Sequence, residues 1–309
     1  MTAKRVLLFG ATGFLGRAAA TVIASDPRVS AVVAAGRRPV AGFESARCDL
    51  VNDSPGALAA LLAQVRPEAV VNCAGRLAGS DSELVAANTS AVARLVDAVA
   101  DAAPSARLVV LGSAAEYGVT ARRPVRETDP ARPVSGYGVT RLAATQLVQL
   151  ACARGELDGM VLRVFNPVGP GLPAENLAGR AVREICDALE RGEARIRMGP
   201  LGSCRDFVDV RDVASAIAAA VFAPRPSGVV CNVGSGSAAA ARVLVRLLAD
   251  AAGFTGTIEE SDPPSARSPG VDWIAADISH TAAALGWAPR HSLAESAEHT
   301  WAGATVTTA

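Results

Sequence analysis

Short apolar segments alternate with longer Ala-rich segments along the first two thirds of this chain. Residues 5–9 (RVLLF) are almost wholly apolar, which is typical of a central strand that is buried on both faces. Further strands are predicted at residues 29–35, 69–73, 107–112 and 160–165, with helices at residues 14–25, 82–102 and 137–154. The alternation predicts an α/β fold with a doubly wound parallel sheet, because parallel strands are joined by helices that cross over the sheet.

A glycine-rich turn follows the first predicted strand and opens the first predicted helix. Its sequence is Gly10-Ala-Thr-Gly-Phe-Leu-Gly16. Glycine permits a tight turn and lets backbone amides approach a pyrophosphate at a helix N-terminus. An ordinary glycine-rich turn is the alternative, but the strand–turn–helix context favours a Rossmann-type dinucleotide site. The candidate cofactor-binding residues in this turn are Gly10, Thr12, Gly13, Phe14, Leu15 and Gly16.

The end of the second predicted strand indicates which nicotinamide cofactor is used. An acidic residue here, about 20 residues after the turn, would select NAD, but the sequence is Gly36-Arg37-Arg38. Two guanidinium groups suit a 2′-phosphate, so NADP(H) is predicted and NAD(H) stays open. Solvated loop arginines are the alternative interpretation. Asp49 and Leu50 are candidates to bracket the adenine, although Asp49 could equally cap the following helix.

Turn residues become frequent after residue 165. Residues 166–173 (NPVGPGLP) predict no regular element, because Pro and Gly dominate the segment. A helix at residues 175–191, strand pieces near Arg195 and Cys204, a helix at residues 210–222 and a strand at residues 229–233 follow. We therefore predict a dinucleotide-binding domain over residues 1–165, to which residues 205–233 return. Residues 166–309 would form a smaller, interleaved substrate-binding domain.

Composition excludes several classes of protein. The 309 residues are 50% hydrophobic and 19% charged, so the chain can bury a large core and is not disordered. Thirty basic residues balance thirty acidic ones, which leaves no overall field to attract nucleic acid or an anionic membrane. Because no apolar run approaches the ~20 residues of a membrane helix, we expect neither nucleic acid nor a membrane as a partner.

Cysteine and histidine spacing argues against a metal centre. The six cysteines are scattered without a Cys-x-x-Cys pair, and the three histidines all follow residue 279. This pattern predicts reduced thiols, no metal site and a cytoplasmic setting. The first residues also lack the apolar stretch and the small-residue cleavage site of a secretory signal.

Three polar residues suit hydride transfer to a carbonyl group. Ser113 ends the fourth predicted strand, Tyr137 begins a predicted helix, and Arg141 lies four residues later on the same helix face. Carbonyl reduction needs a proton donor to the developing alkoxide, and a phenol beside a cation can serve as that donor. Ser113 would supply a second hydrogen bond to the same oxygen.

These segments together resemble the extended short-chain dehydrogenase/reductases, a family of nucleotide-sugar epimerases, dehydratases and reductases. The resemblance rests on the glycine turn, Asn88, the Ser113-x-x-x-Tyr117-Gly segment and the Tyr137-x-x-x-basic pair. It extends to residues 163–171 (RVFNPVGPG), 205–213 (RDFVDVRDV), 267–270 (RSPG) and 285–289 (LGWAP). It implies that Tyr137 is the acid/base, with Ser113 as its partner and Asn88 in a proton-relay or structural position. The further cofactor-binding residues that it implies are Cys73, Ala74, Gly75, Asn88, Tyr137, Arg141 and Val164.

The chain departs from this family at Arg141, where the family normally has lysine. Arginine keeps the charge and can donate to a ribose hydroxyl, but it is bulkier and planar and cannot pass on a proton. Compositional drift is one interpretation, since Lys4 is the only lysine of the chain. Impaired or altered catalysis is the other. Retained activity is favoured because Ser113 and Tyr137 both remain in register.

The resemblance also bears on the reaction. Dehydratases of the family carry an Asp-Glu pair directly after the Ser/Thr, where this chain has Ala114 and Ala115, and Glu116 comes one position too late. Dehydration is therefore not expected. Reductases of the family generally use NADPH, which agrees with Arg37 and Arg38.

Residues 163–171, the predicted helix that follows them and residues 205–213 are most similar to GDP-4-keto-6-deoxy-mannose reductases. The substrate implied is a nucleotide-diphosphate 4-keto-6-deoxyhexose, reduced at C4. The implied substrate-binding residues are Ser113, Asn166, Asn176, Arg205 and Arg267. Arg205 could instead pair with Asp206 or Asp209, and Arg267 could be a surface charge.

Three functions from different classes remain open at this point. The first is an NADPH-dependent 4-ketoreductase, the second a 4-epimerase with tightly held NAD, and the third a non-catalytic NADP sensor or scaffold. Relatives usually dimerise through their two long helices, which implies a homodimer through residues 82–102 and 137–154. The Ala- and Val-rich faces of these helices also suit ordinary burial against the sheet.

Overall fold

The computed structural model describes residues 3–224, 229–261 and 270–305. The strands of this part of the chain are β1 (Lys4–Phe9), β2 (Val29–Gly36), β3 (Glu44–Arg47), β4 (Ala69–Asn72), β5 (Arg107–Ser113), β6 (Asp158–Val164), β7 (Asn166–Val168), β8 (Arg195–Met198), β9 (Cys204–Asp209), β10 (Val229–Val233), β11 (Ala238–Ala240), β12 (Thr257–Glu260) and β13 (Trp273–Ile274). The helices are α1 (Phe14–Ala24), α2 (Pro55–Val65), α3 (Asp81–Leu84), α4 (Ala91–Ala102), α5 (Gly136–Ala153), α6 (Leu177–Arg191), α7 (Val210–Phe222), α8 (Ala241–Ala251), α9 (Ser279–Leu285) and α10 (Leu293–Thr305).

Seven of the strands form one parallel sheet in the order β10-β6-β5-β4-β1-β2-β3. Strand β1 is central, and the chain leaves it toward β2 on one side before returning to β4 on the other. Ligands of open α/β sheets bind in the crevice beyond the strand ends where the order reverses. The predicted doubly wound α/β fold is therefore confirmed, and the reversal lies between β1 and β4.

Side chains of β1 alternate between two apolar cores. Leu7 and Phe9 pack with the helices α2, α4 and α5, whereas Val6 and Leu8 pack with α1 and α7. Successive side chains of a strand point to opposite faces of a sheet, so a strand covered on both faces must be apolar throughout. This explains why the first strand shows no polar alternation in the sequence.

The remaining strands form two smaller sheets in the second half of the chain. Strand β9 pairs with β7, β11 and β13, and β8 pairs with β12. Helices α6 and α8 cover this region, with Ile185, Leu244 and Leu248 fully buried between them. The chain then returns to the large sheet at β10, which pairs with β6. The boundary at residues 165 and 166 stays a prediction.

The prediction that residues 166–173 form no regular element is wrong for their first three residues. Asn166–Val168 form β7, which pairs in parallel with Phe207–Asp209 of β9. The pairing depends on a segment about forty residues away, so turn-forming residues alone could not reveal it. Pro167 lacks an N–H donor, and its place in this short strand is tolerated because β9 is the one strand that pairs with β7 in the described residues.

Two elements of the first half were not predicted from the sequence. Strand β3 pairs only with β2 at the edge of the sheet and lacks an apolar run. Helix α2 begins at Pro55 after Ser54, whose Oγ accepts a hydrogen bond from Ala57 N (3.3 Å). Because β3 was not predicted, the third strand predicted from the sequence, at residues 69–73, corresponds to β4.

The long helix predicted at residues 82–102 is three connected segments. Helix α3 starts with a capping box between Ser80 and Glu83, and a π-helical segment, Val85–Ser90, leads into α4. A π-helical segment inserts a wider turn and is frequent at functional sites. Asn88 lies within it.

None of the helices in residues 3–224, 229–261 and 270–305 combines the length and the apolar character that crossing a membrane requires.

Candidate active site

The glycine turn between β1 and α1 lies tightly against the loop that follows β4. Gly10 has φ +80°, and a Cβ added there would stand 2.6 Å from the backbone N of Ala74. A Cβ added at Gly16 would stand 2.0 Å from the carbonyl oxygen of Gly10. Any side chain at these two positions would therefore push the backbone segments apart.

Gly13 starts α1 without a side-chain cap, and its N–H donates to Gly10 O (2.9 Å). The amides of the first turn of α1 are thus available to an anion, and the helix dipole favours negative charge at this point. Thr12 is exposed here, while Phe14 and Leu15 are half-buried. The turn fits the pyrophosphate of a dinucleotide.

The loop after β4 forms the opposite wall of this crevice. Cys73 donates its backbone N–H to Phe9 O (3.0 Å), which holds the loop beside the end of β1. Ala74 is half-buried and Gly75 is exposed. Burial raises the pKa of the Cys73 thiol to about 12, so this thiol stays protonated and is not a nucleophile.

Arg37 and Arg38 follow β2 and are both exposed. Neither forms an ion pair within the described part of the chain. Asp49 lies close enough for the charge of Arg37 to act on it. A hydrogen bond from the Asn52 side chain, aided by backbone amides and by Arg37, holds the pKa of Asp49 below its usual range.

Asp49 shapes a turn and does not cap the next helix. Its carboxylate accepts hydrogen bonds from Val51 N (3.0 Å) and Asn52 Nδ2 (3.0 Å), whereas the N-cap of α2 is Ser54. The helix-cap alternative for Asp49 is therefore wrong. Leu50 packs half-buried against the core beside it, and a role of either residue at the adenine stays a prediction.

Ser113 ends β5 and opens a 3₁₀ turn, Ala114–Glu116. Ser113 Oγ accepts a hydrogen bond from Ala115 N (3.2 Å), so its own proton remains available to a ligand. Its backbone N–H donates to Glu116 Oε1 (2.8 Å). Val164 of β6 lies opposite Ser113 in the parallel register and is buried.

Tyr137 lies in the first turn of α5, one residue before a close contact with the Ser113 turn. A Cβ added at Gly138 would stand 2.5 Å from Ala115 O, so the helix backbone touches the turn backbone directly. Ser135 caps α5 by accepting from Gly138 N (3.3 Å). Tyr137 and Ser113 are thereby brought to the same end of the large sheet.

Arg141 lies one turn further along α5 and is buried, with 7% of its surface exposed. Its Nη1 donates to Leu111 O (3.2 Å), and its guanidinium carbon lies 5.4 Å from the centre of the Tyr137 ring. A Cβ added at Gly75 would stand 2.1 Å from Arg141 Nη2, so only glycine leaves room there for the guanidinium. The buried Nε of Arg141 has no hydrogen-bond partner in the structure.

Asn88 connects the loop after β4 to the start of α5. It is fully buried, accepts from Arg76 N (2.8 Å) and donates through Nδ2 to Thr140 Oγ1 (3.1 Å). Thr140 Oγ1 in turn donates to Tyr137 O (2.9 Å). Directly at Arg76 and through the Thr140 hydroxyl at Tyr137, these contacts hold backbone in place, so they support the structural alternative for Asn88.

The residues predicted to bind substrate are not brought together as Ser113, Tyr137 and Arg141 are. Asn166 Nδ2 donates to Asp206 O (3.1 Å), and Asn176 precedes α6 as its N-cap residue. Arg205 donates to the carbonyl oxygens of Cys204 (2.9 Å) and Val271 (2.6 Å), and burial lowers its pKa. Arg267 lies outside the described residues.

The alternative that Arg205 pairs with Asp206 or Asp209 is wrong. Asp206 accepts hydrogen bonds from Ser235 Oγ (2.7 Å) and Ala276 N (2.9 Å), and Asp209 pairs with Arg211 (2.7 Å). The alternation of β9 directs Asp206 to the face opposite Arg205, whereas Asp209 lies four residues further along the strand and is held by Arg211.

A buried charged group that the sequence did not reveal as important lies behind Ser113. Glu116 Oε2 accepts from Arg163 Nε (2.7 Å) and from Thr145 Oγ1 (2.9 Å). The sequence spacing gives one clue that Thr145 lies near the site, since it comes eight residues after Tyr137 and so shares its helix face. Arg163 gives none, because β6 becomes a neighbour only when the sheet forms.

A separate cavity of about 370 Å³ lies between the end of β9 and the start of α10, and Phe207, Ser235 and His291 are among its lining residues. It shares no lining residue with the glycine turn, Ser113 or Tyr137. In the part of the chain that the structure describes, no group of three or more His, Cys, Asp or Glu side chains is placed to hold a metal ion.

Known proteins resemble this chain over almost its whole length. A model of the NAD dependent epimerase/dehydratase family matches residues 6–234. A dTDP-6-deoxy-L-talose 4-dehydrogenase (NAD(P)(+)) of Kitasatospora kifunensis is 39% identical over 96% of this chain and 94% of its own length. A GDP-6-deoxy-D-mannose reductase of Pseudomonas aeruginosa is 29% identical over 81% of this chain and 80% of its own length.

A solved structure supports the same relationship. MoeE5 in complex with UDP-glucose and NAD superposes with a TM-score of 0.85 at 30% identity, covering 99% of this chain and 100% of its own.

Proposed function

The chain belongs to the NAD dependent epimerase/dehydratase family, and we propose that it uses NADPH to reduce the 4-keto group of a nucleotide-diphosphate 6-deoxyhexose. The observation that carries the proposal is the direct contact of the Ser113 turn with the start of α5, which brings two hydroxyl donors to one end of the sheet. The Kitasatospora relative supports the choice of C4, because dehydrogenation of a hydroxyl and reduction of a ketone are two directions of one reaction.

Each residue of the site has a distinct part in this reaction. Tyr137 donates its phenolic proton to the carbonyl oxygen as the alkoxide develops. Ser113 donates a hydrogen bond to the same oxygen, for which its hydroxyl proton is available. When bound, the reduced nicotinamide supplies the hydride for the carbonyl carbon, so that one ketone, one hydride and one proton give one alcohol.

Arg141 replaces the lysine that is usual in the family, and its position in the structure supports retained activity. The guanidinium keeps a positive charge beside the Tyr137 ring, at 5.4 Å from its centre. Gly75 provides the space that the larger side chain needs. The non-catalytic sensor, the third of the open functions, requires that this geometry binds cofactor without turnover and that Arg141→Lys creates activity.

Dehydration finds no support in the site. Ala114 and Ala115 have no acidic or basic group, and the Glu116 carboxylate is fully buried and hydrogen-bonded to Thr145 and Arg163. A carboxylate so enclosed cannot move a proton to or from a sugar.

The phosphate groups of the ligands are proposed to meet arginine and asparagine side chains. Arg37 and Arg38 would bind the 2′-phosphate of NADPH, and Arg205 with Asn166, Asn176 and Arg267 would line the nucleotide-diphosphate side. Arg205 can donate to a phosphate oxygen through the guanidinium N–H groups that are not bonded to Cys204 O and Val271 O.

Removal of the two arginines is expected to change cofactor preference. Arg37→Ser combined with Arg38→Ser should raise KM for NADPH about tenfold or more, because each charge-assisted hydrogen bond to phosphate contributes on the order of 1.5–3 kcal/mol. KM for NADH, which has no 2′-phosphate, should stay within about twofold. Initial rates at varied cofactor measure both constants. Arg195→Ser, at an exposed arginine of β8, is the matched control, and an equal change for both cofactors would count against the NADP assignment.

The second candidate function is a 4-epimerase with tightly held NAD. It is favoured by the NAD and UDP-glucose that MoeE5 binds at 30% identity. An epimerase returns the hydride to the same sugar, so the purified chain would keep its nucleotide through desalting and interconvert sugars without added cofactor. A reductase would lose its nucleotide in the same procedure.

A turnover panel tests the proposed function. Purified protein is mixed with dTDP-, GDP- or UDP-linked 4-keto-6-deoxyhexoses and with NADPH or NADH, and cofactor oxidation and the sugar product are followed. We expect NADPH to be consumed in a one-to-one ratio with formation of a C4 alcohol for at least one of these sugars. No NADPH oxidation with any of them would overturn the proposal, and interconversion without oxidation would establish the epimerase.

A homodimer and a cytoplasmic setting complete the proposal. Val139 and Leu150 of α5 are each 52% exposed and lie eleven residues apart, which is three helical turns and hence the same side of the helix. Half of the α4 residues are buried, including the large apolar ones Val92, Leu95 and Val99, so α5 offers the larger apolar surface to a second copy. The scattered thiols, of which Cys48 and Cys231 are buried, support a reducing compartment.

A further inference from the structure

We propose that Glu116 is a positioning residue, which acts through Ser113 and Thr145 to fix the distance between the two proposed hydroxyl donors. The inference rests on the proposed function, since it concerns how Ser113 and Tyr137 come to address one carbonyl oxygen. Neither Glu116 nor Thr145 would touch the substrate.

The Glu116 carboxylate joins three separate elements of the fold. Oε1 accepts from Ser113 N (2.8 Å) at the end of β5, and Oε2 accepts from Thr145 Oγ1 (2.9 Å) on α5. Arg163 Nε of β6 also donates to Oε2 (2.7 Å). The side chain is fully buried, so water does not compete for these bonds.

The bond to Ser113 fixes the direction of the serine. Ser113 and Glu116 form a capping box, in which Glu116 holds the Ser113 amide while Ser113 Oγ accepts from Ala115 N. A Cβ added at Gly112 would stand 2.5 Å from Glu116 Oε1, so the preceding glycine leaves the space that the carboxylate occupies. The turn from residue 112 to residue 116 is thus built around the carboxylate.

The bond to Thr145 sets the position of α5. Tyr137, Arg141 and Thr145 are spaced by four residues and share one helix face. Thr145 is buried and its hydroxyl bonds Glu116, so the helix is held against the Ser113 turn at a point two turns beyond Tyr137. The N-terminal end of the helix is held by the contact between Gly138 and Ala115. Two points of attachment define the orientation of a rod, whereas one leaves it free to pivot.

The ion pair with the Arg163 guanidinium offsets the free-energy cost of burying the Glu116 carboxylate. Arg163 is 4% exposed, and its guanidinium lies 4.6 Å from the centre of the Tyr117 ring and forms the ion pair with Glu116. Charge-assisted hydrogen bonds are shorter and stronger than neutral ones, so the pair holds Ser113 and α5 more rigidly than an amide in place of Glu116 would.

The test compares two substitutions at Thr145, one that replaces the hydroxyl group by a methyl group and one that keeps the hydroxyl group and removes the methyl group. Thr145→Val removes the bond to Glu116 with little change of shape, and Thr145→Ser keeps it. We expect Thr145→Val to lower kcat about tenfold while KM for both substrates stays within about twofold, since misplacement of reacting groups affects the chemical step more than binding. Thr145→Ser should keep kcat within about twofold of the parent chain.

Thr300→Val is the matched control. Thr300 is buried in α10 and its Oγ1 donates to Ser296 O (2.6 Å), away from the site. It should leave kcat unchanged. Equal losses of kcat for Thr145→Val and Thr300→Val, or for Thr145→Val and Thr145→Ser, would overturn the proposal.

A second measurement needs no substrate and separates this proposal from the proposed function. Amide hydrogen exchange at Ser113 and Ala115 of the free protein should be faster in Thr145→Val and unchanged in Thr145→Ser and Thr300→Val. If the parent chain reduces no 4-keto sugar nucleotide, the proposed function fails, and the exchange rates still decide whether Glu116 and Thr145 hold Ser113. Unchanged exchange in Thr145→Val would refute the positioning role. Glu116→Gln adds a third comparison, in which the acceptor remains but the charge is lost.

Discussion

Replacing Tyr137 by phenylalanine is expected to lower kcat for NADPH-dependent reduction by about 10²–10⁴-fold, the range that general acid catalysis contributes. The ring would keep its place in the first turn of α5, whereas the proton for the alkoxide would have to come from water. Steady-state kinetics measures the loss, and quenching of protein fluorescence by NADPH checks that cofactor still binds.

The chain contains a matched control for this experiment. Tyr117 is its only other tyrosine, and it is buried with its hydroxyl donating to Asn232 Oδ1 (2.7 Å). Tyr117→Phe leaves a buried acceptor unpaired and should cost about 1–3 kcal/mol of stability. It should not slow the chemical step. Turnover by Tyr137→Phe at the rate of the parent chain would remove Tyr137 from the mechanism.

Removing the carboxylate of Asp158 is expected to destabilise the chain by about 3–5 kcal/mol, the cost of leaving a buried charge without its partner. Arg107 and Asp158 lie opposite each other in the first pair of the β5–β6 register and are 5% and 8% exposed. Arg107 Nε and Nη2 donate to Asp158 Oδ2 at 3.0 and 2.8 Å. Asp158→Ala would leave the guanidinium with only the carbonyl oxygens of Ala220 and Ala223.

The midpoint of urea unfolding measures this loss, and two further variants interpret it. The double variant Arg107→Met, Asp158→Leu should recover most of the stability, because an apolar pair can replace a buried ion pair at little cost. Glu44→Ala removes the exposed partner of the half-buried Arg5 and should cost less than about 1 kcal/mol. A loss below about 1 kcal/mol in Asp158→Ala would mean that water reaches Arg107.

Local geometry explains why the glycine turn could be recognised in the sequence. Gly16 is required by its close approach to Gly10 O within the turn, and the positive φ of Gly10 favours glycine. The same holds for the buried strands, since their apolar runs reflect only that helices cover both faces. Both features are recorded in contiguous residues and do not depend on the details of distant packing.

Features that depend on distant partners were missed or misjudged. Strand β7 exists because β9, about forty residues later in the chain, lies beside it. Arg205 bonds carbonyl oxygens and neither of the nearby aspartates. In each case several partners were available by spacing, and only packing chose among them.

The sequence by itself determined the doubly wound sheet and the glycine turn, because each follows from short segments with their own geometric requirement, and it supplied the prediction that Ser113, Tyr137 and Arg141 form the site. The tertiary structure alone decided that Glu116 is enclosed and shared. Its partners Thr145 and Arg163 lie 29 and 47 residues away along the chain, and they meet the carboxylate only after β5, β6 and α5 have packed. A buried charge is stable only where such partners converge, and convergence is a property of the folded chain.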